Sequence, residues 1–329
     1  IWQPLVDAGA NVTLPGKQST AAIMAVRELN NPSQQDEVIP FLKLFIERSG
    51  DLNYKGDEGS TVLHWAASKK LDKVVDLLLQ SKADPNQRRN DTSTALHCAM
   101  FFNAGPAVVT SLLAARADFT LIGSDQRSIL HFPLNSPHCD NENDIVSMLE
   151  SVKKAMQCDD PGEKSMFELA LNELTAFKGQ NGVTALHWAV WKRRPEVVRI
   201  LLAAKADPNA RRNDKDTPLH TAMFFSAGAS IVEQLLLAKA DFTLIGNENR
   251  SVLLHALLSP QTKDDAELIA MVDLLVKGPK NGTDEMKITV DEGRKTAVRE
   301  LIAYKGEKGE TALHAAVWKR SSGSVKLLL

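Results

Sequence analysis

Five histidines recur along the chain in the same local setting, each three residues after a threonine. The pairs are Thr61 and His64, Thr94 and His97, Thr184 and His187, Thr217 and His220, and Thr311 and His314. Histidine is a frequent metal ligand and acid–base catalyst. Copies about 33 residues apart belong to separate structural units, so their rings are expected roughly 10 Å apart, a typical distance between packed helices. Because a shared metal ion needs its ligands about 2 Å away, this spacing indicates neither a metal site nor a catalytic centre.

The cysteines give no better basis for chemistry. The chain contains only Cys98, Cys139 and Cys158, an odd number without a Cys-x-x-Cys pair, which is typical of a reducing intracellular compartment. His138 and Cys139 with Cys158 match no standard zinc spacing, so polar loop residues with an incidental thiol are the favoured interpretation. Cys98 stands where other copies of the motif have tryptophan or alanine, which predicts a core residue. Nucleotide-binding, metalloprotease and serine-hydrolase motifs are missing from the sequence, which therefore predicts no enzyme, no metal and no cofactor.

Composition and charge argue against two classes of partner. The 329 residues are 43% hydrophobic and 24% charged, with a formal net charge of −2, as in ordinary soluble proteins. Nucleic acid and anionic membranes usually require a basic surplus, and no apolar run reaches the roughly 18 residues of a membrane span. We expect a cytoplasmic or nuclear monomer that neither binds nucleic acid nor inserts into a membrane. The chain opens without Met and ends within an apolar run, which we interpret as a fragment of a longer protein.

The histidines belong to a repeated motif, Thr-x-Leu-His-x-Ala. Thr61 and Thr94 are 33 residues apart, as are Thr184 and Thr217, and weaker copies begin at Thr20, Ser128 and Ser251. This period and motif resemble ankyrin repeats. The resemblance implies an all-α solenoid of helix pairs joined by short β-turn or hairpin connections, in which the motif threonine and histidine are structural hydrogen-bonding residues. A unit of this kind cannot bury its own apolar face, so its stability comes from stacking on its neighbours.

Local signals agree with helix pairs. The motif threonine can cap the first helix, and Pro218 falls at a position where a missing N–H costs nothing. Asp-Pro-Asn, at 84–86 and again at 207–209, ends the second helix and begins a turn. Lysine or arginine precedes these endings where ankyrin repeats usually have glycine, which is a mild departure because glycine is only the commonest residue there.

We expect a single elongated domain over residues 1–329, truncated at both ends, with about seven to eight units. The units start near Thr20, Thr61, Thr94, Ser128, Thr184, Thr217, Ser251 and Thr311. Residues 61–137 resemble residues 184–260 at an offset of 123, which indicates duplication of a three-unit block. Inserts within 135–180 and 259–305 read as polar loops (135–144, 157–164 and 278–293) flanking added helices at Met166–Phe177 and Lys295–Tyr304. The sequence leaves open which helix of each insert is the regular second helix.

The resemblance also implies a partner-binding groove along the first helices and hairpins. Residues just after the motif are aromatic or basic: Phe101, Phe102, Trp191, Lys192, Phe224, Phe225, Trp318 and Lys319. Large aromatic side chains often anchor interfaces. One Phe of each pair is nevertheless expected to be buried against the adjacent unit, whereas Trp191 and Trp318 are expected to be exposed. Arginine pairs follow the Asp-Pro-Asn turns at Arg88 and Arg89 and at Arg211 and Arg212. They are interpreted either as a basic stripe for an acidic partner or as solvated surface.

These observations predict a non-catalytic scaffold or adaptor that binds a partner protein or peptide through the concave groove. Two alternatives assign the segment to a larger chain. It is then the regulatory or targeting arm of an enzyme such as a kinase or acyltransferase, or the ankyrin portion of a membrane channel. Fold alone does not choose among them.

Overall fold

The computed structural model describes residues 11–16, 19–155, 161–261, 265–278 and 291–329. This part of the chain is helical and contains no strand, only isolated bridges between Gly123 and Arg127 and between Ile245 and Ser251. The predicted all-α class is therefore confirmed. None of the helices within these residues has the length and apolarity needed to cross a membrane.

The chain folds as two compact units, Ile1–Ala170 and Leu171–Leu329. The first unit stacks short inner helices against one another and longer outer helices against one another. Its inner helices are α1 (Ala21–Arg27), α3 (Val62–Ser68), α5 (Ala95–Phe101) and α7 (Phe132–Asn135). Its outer helices are α2 (Gln35–Glu47), α4 (Asp72–Gln80), α6 (Pro106–Ala114) and α8 (Glu142–Ala155). Helix α9 (Pro161–Ala176) follows.

The second unit repeats this pairing, with an additional helix before the last pair. Its inner helices are α10 (Ala185–Trp191), α12 (Pro218–Phe224), α14 (Val252–Leu258) and α17 (Ala312–Trp318). Its outer helices are α11 (Pro195–Ala203), α13 (Ala229–Leu237), α15 (Asp265–Lys277) and α18 (Ser322–Leu328), and the additional helix is α16 (Asp291–Ala303). Every unit start predicted from the motif lies immediately or a few residues before an inner helix. The expectation of one elongated domain stays a prediction.

Packing identifies the inserted helices. Helix α8 packs on the preceding outer helix α6, and α15 packs on both α13 and α18. In each third unit, the helix that follows the inner helix is therefore the regular outer helix. These outer helices are α8 and α15, and α9 and α16 are the added helices. They begin four or five residues before the predicted starts, at Pro161 and Asp291. The predicted loop 135–144 already becomes helical at Glu142. Most residues of the predicted loops 157–164 and 278–293 lie outside the residues whose side chains the structure describes.

The turns that lead into successive inner helices, which we call hairpins, approach each other closely. Glycine permits this contact. Gly59 has φ of +72°, and a Cβ there would lie 2.5 Å from Asn90 Oδ1 in the next hairpin. The Asn90 N–H donates to the Glu58 carbonyl at 2.9 Å. Gly182 repeats this arrangement against Asn213 in the second unit, with φ of +73°. Both positions therefore need a residue without a side chain.

Candidate functional site

The motif histidines are fixed by their threonines and, in two copies, by the next hairpin. His64 Nδ1 lies 2.9 Å from Thr61 Oγ1 and accepts the Thr61 N–H at 3.1 Å. The proton of the neutral ring is therefore on Nε2, which donates to the Ser93 carbonyl at 3.3 Å. His187 makes the same contact with the Asp216 carbonyl at 3.3 Å. Each such histidine joins one capped helix to the following repeat.

Burial keeps these rings neutral. It is the main reason that the pKa is lowered to about 4 at His64, His97 and His220 and to about 3 at His187. His314 is exposed but keeps its threonine contact, with Nδ1 2.7 Å from Thr311 Oγ1. A ring with so low a pKa is a poor acid–base catalyst at neutral pH. These contacts give the motif pairs the hydrogen-bonding geometry that the resemblance implies.

One histidine pair departs from the expected separation. In the third unit of the second block the histidine falls one residue late, and His255 points to the preceding unit instead of capping its own helix. Its ring centroid is 5.0 Å from that of His220, about half of the 10 Å expected for rings in successive units. Its Nε2 lies 3.3 Å from Asp216 Oδ1. Within the described residues, Asp216, His220 and His255 are one group whose potential ligand atoms all lie within 4.8 Å of one another.

The repeat motif does not single out Asp216 or His255. The signal that could have found them is the difference between the two blocks at an offset of 123, where Ser93 aligns with Asp216 and Phe132 with His255. Burial raises the pKa of Asp216, but the hydrogen bonds from His255 and the Asn247 N–H, together with the neighbouring histidines, leave that pKa below its ordinary value.

The described cysteines are buried thiols. Cys98 is free, and both Cys98 and Cys139 are about 3% exposed. Burial raises the pKa of both thiols, which leaves them protonated at neutral pH. Cys158 lies outside the described residues, so its grouping with His138 and Cys139 stays untested. The His138 ring instead packs against the predicted pair Phe101 and Phe102, with centroids 5.7 and 5.0 Å away.

The predicted aromatic residues lie where inner helices end. Phe101, Phe102, Phe224 and Phe225 are all half-buried, so neither member of a pair is fully enclosed. Trp191 is 42% exposed and Trp318 is 78% exposed. Trp191 packs against Trp188 at 4.7 Å and against Phe225 of the next helix pair at 5.6 Å. The Lys192 ammonium lies 5.4 Å from the Trp191 ring. We call Trp188, Trp191, Lys192 and Phe225 the tryptophan surface.

Trp318 and Lys319 have a different setting. They end α17, and Trp318 is 78% exposed, whereas Trp191 packs against Trp188 and Phe225. Lys319 Nζ donates to the Ser259 carbonyl at 3.0 Å. The tryptophan surface is therefore the better-formed aromatic group.

The hairpin arginines are engaged within the fold. Arg88 and Arg211 donate to the carbonyls of Ile122 and Ile245 in the next hairpin, at 3.5 and 2.8 Å. Arg89 pairs with Glu58, and Arg212 Nη2 lies 2.8 Å from Asp214. Arg88, Arg89 and Arg211 therefore join successive hairpins, and Arg212 pairs within its own hairpin, which favours a structural role over a free basic stripe.

Comparisons with known proteins place this geometry in a family. The profile described as ankyrin repeats (3 copies) matches residues 2–89, 34–123 and 155–246. Rabankyrin-5 of Homo sapiens is 30% identical over 195 residues, which cover 58% of this chain and 15% of that protein. The E3 ubiquitin-protein ligase KEG of Arabidopsis thaliana is 27% identical over 189 residues, 57% of this chain and 11% of the ligase.

A solved structure shares the fold. The ankyrin repeat domain of Bcl-3, a member of the IkappaB protein family, superposes with a TM-score of 0.57 at 21% identity, over 79% of this chain and 99% of that domain. The chain thus spans a small part of the length of its full-length relatives but nearly all of an ankyrin repeat domain. It belongs to the ankyrin repeat family.

Proposed function

We propose that the chain is a non-catalytic interaction module that binds a partner protein or peptide at the tryptophan surface. Ankyrin repeats are a general protein–protein interaction fold. The observation that carries the proposal is Trp191, which is 42% exposed although it lies among other aromatic rings. A half-exposed tryptophan in an aromatic cluster is typical of an interface anchor.

The chemistry of the surface defines the partner. Apolar area on Trp191 and Phe225 gains free energy when a partner removes it from water, at about 25 cal/mol per Å². Lys192, which is exposed beside Trp191, can pair with a carboxylate at the rim. We therefore expect a segment that offers a bulky apolar side chain next to an acidic one. This is the scaffold or adaptor function predicted from the sequence, now assigned to a particular part of the inner surface.

The test compares the unchanged chain with two folded variants, each with two substitutions to alanine. The test variant carries Trp191→Ala and Phe225→Ala, and the control variant carries Arg199→Ala and Lys326→Ala. The unchanged chain and both variants are immobilised, and the proteins that each captures from cell lysate are identified by mass spectrometry. Arg199 and Lys326 lie on outer helices, away from the inner-helix ends. Circular dichroism verifies each fold. The captured partner is then purified and its dissociation constant measured for each form.

A partner that the parent and the control bind equally, and the aromatic variant binds at least tenfold more weakly, supports the proposal. Equal dissociation constants for all three forms would place binding elsewhere and refute it. Equal binding by the aromatic variant together with loss in the control would assign the partner to the outer helices.

A second candidate function is supported by the relatives. The similarity to E3 ubiquitin-protein ligase KEG covers only 11% of that enzyme, so the matching repeats there form part of a larger chain. We propose as the alternative that this segment is the regulatory or targeting arm of a larger enzyme, with a kinase, an acyltransferase or a membrane channel as the parent classes expected from sequence. The complete reading frame distinguishes these cases, because a catalytic domain or membrane span beside the repeats would favour the arm.

We also propose that the protein acts inside the cell, in the cytoplasm or the nucleus. Support comes from Cys98, which is a free, buried thiol. Fluorescence imaging of the full-length protein tests the location, and a secreted or luminal signal would contradict it.

A further inference from the structure

We propose that Asp216, His220 and His255 form a binding site for a divalent transition-metal ion, with zinc as the best fit. Two imidazoles and one carboxylate are a common zinc ligand set that leaves a fourth position for water. His255 Nε2 is 3.3 Å from Asp216 Oδ1, close to the separation of two ligands on one tetrahedral ion with bonds of about 2.0–2.1 Å. All three potential ligand atoms lie within 4.8 Å of one another, so small side-chain movements bring them onto one ion.

His220 provides an independent observation. Its Nε2 is buried, makes no hydrogen bond, and belongs to a side chain that is 0% exposed. The equivalent nitrogens of His64 and His187 each have a carbonyl partner at 3.3 Å. A buried polar atom without a partner costs free energy, and an ion at this point would satisfy it.

The duplicated block provides an internal comparison. His97, the equivalent of His220, also has an unpartnered Nε2, but its neighbours are Ser93 and Phe132. Phe132 packs edge-on against His97 with ring centroids 4.9 Å apart, as His255 packs against His220 at 5.0 Å. The second block therefore keeps the packing of the first and has metal-ligating side chains at both neighbouring positions.

Surrounding groups orient the three ligands. His255 Nδ1 lies 3.4 Å from the Ser251 carbonyl, and this contact directs Nε2 towards Asp216. Asp216 Oδ1 accepts the Asn247 N–H at 2.8 Å. His220 Nδ1 lies 2.9 Å from Thr217 Oγ1 and accepts the Thr217 N–H at 3.4 Å. An ion on Nε2 would move the ring proton to Nδ1, which would then donate to Thr217 Oγ1 in place of the N–H contact. Such second contacts commonly fix metal-binding histidines.

Gly246 leaves the space that the group needs. A Cβ at this position would lie 2.3 Å from Asp216 Oδ1 and 2.9 Å from His220 Nε2. Gly246 also lines a surface cavity of about 430 Å³ together with Ile245 and Asn247. Gly246 therefore borders both the ligand group and this cavity.

The experiment titrates untagged, metal-free full chain with zinc chloride in a calorimeter at pH 7.5, and with cobalt chloride in a spectrophotometer. The test variant, Asp216→Ser with His255→Phe, installs the residues that the first block carries at the same positions. The control, His314→Gln, removes an exposed histidine outside the group. A second variant, Asp216→Asn, keeps the size of the side chain in case the double variant does not fold.

We expect the parent and the control to bind one zinc ion at low micromolar concentration or tighter, and to give the visible absorption of four-coordinate cobalt. Either test variant should bind at least tenfold more weakly and lose that absorption. No zinc binding by the parent up to 100 µM, or equal affinity in the parent and a folded test variant, overturns the proposal; the concentration is about a hundred times the low-micromolar affinity expected of such a site.

Discussion

Burial and a hydrogen bond to threonine define the motif histidines at the scale of single residues. Their rings are neutral because burial penalises the charged form, and the neutral ring can then accept at Nδ1 and donate at Nε2. In His64 and His187 the side chain therefore links a helix cap to the next hairpin, and its pKa lies well below neutral pH. Two measurable consequences follow from this arrangement.

Loss of the threonine hydroxyl should destabilise the chain. Thr184 Oγ1 lies 2.8 Å from His187 Nδ1 and caps α10. Replacing Thr184 with valine keeps the shape and removes the cap, so we expect the free energy of unfolding to fall by about 1–2 kcal/mol. Urea unfolding measures this change. Thr110→Val, at an exposed site on α6, should change it by less than about 0.5 kcal/mol, and equal effects of the two substitutions would contradict the assignment.

Acid should weaken the fold in a defined pH range. The pKa of His187 falls from 6.5 to about 3 on folding, and that of His64 from 6.5 to about 4. The unfolded chain therefore binds more protons, so the stabilisation is complete above pH 6.5 and is lost as pH falls towards 4. Each histidine contributes a slope of up to about 1.4 kcal/mol per pH unit.

The measurement is the urea midpoint at pH 7.5, 6.0 and 5.0. It should decrease steadily below pH 6.5, and His187→Gln, although less stable throughout, should show a shallower decrease. A midpoint that is constant from pH 7.5 to pH 5.0 would show that the histidines are not kept neutral by folding.

At the scale of the helical elements, packing stabilises helices that are too short to be stable alone. The motif helices have seven residues, well below the roughly 12–15 needed by an isolated helix in water. Their outer partners end in residues with left-handed backbone conformation, such as Lys82 with φ of +66° and Lys205 with φ of +61°. These are the lysines found where ankyrin repeats usually have glycine, so the departure seen in sequence has a local cost.

Glycine at such a position should stabilise the chain. Lys205 is exposed and follows the end of α11, so Lys205→Gly removes the left-handed cost of a side chain without losing a buried contact. We expect a gain of about 0.5–1 kcal/mol in the free energy of unfolding. Ala204→Gly, one residue earlier with φ of −83°, should lose a similar amount. Loss of stability in both variants would show that the lysine carries no such cost.

The elements also show where sequence was sufficient. The motif and its period predicted the inner helices, because the threonine cap and the apolar positions are local signals. The third unit of each block was harder to predict from the motif. In the second block His255 is shifted by one residue, and in the first block Pro133 changes the length of the inner helix. Pro133 restricts α7 to Phe132–Asn135, whereas Ala256 at the equivalent place allows the full helix α14. The Asp216 cluster was not predictable from the motif, because it depends on contacts between units.

At the scale of the whole molecule, the proposed function depends on side chains that the repeats leave uncovered. The exposure of Trp191 and Trp318 followed from their place after the motif, but the half-buried state of the Phe pairs did not, because it depends on how the next helix pair covers them. The arginine pairs suggested a basic stripe in sequence, whereas in the structure they contact carbonyls and carboxylates of their own or adjacent hairpins. This leaves the tryptophan surface as the candidate partner site.

The most direct test of partner binding at this surface is site-specific photo-crosslinking. A photoreactive amino acid is placed at Lys192, beside Trp191, and in a matched sample at Arg199 on outer helix α11. Both positions are exposed, so either can accept the label without disturbing the fold. The partner should crosslink from position 192 and not from position 199. Crosslinking from position 199 alone, or equally from both, would contradict binding at the tryptophan surface.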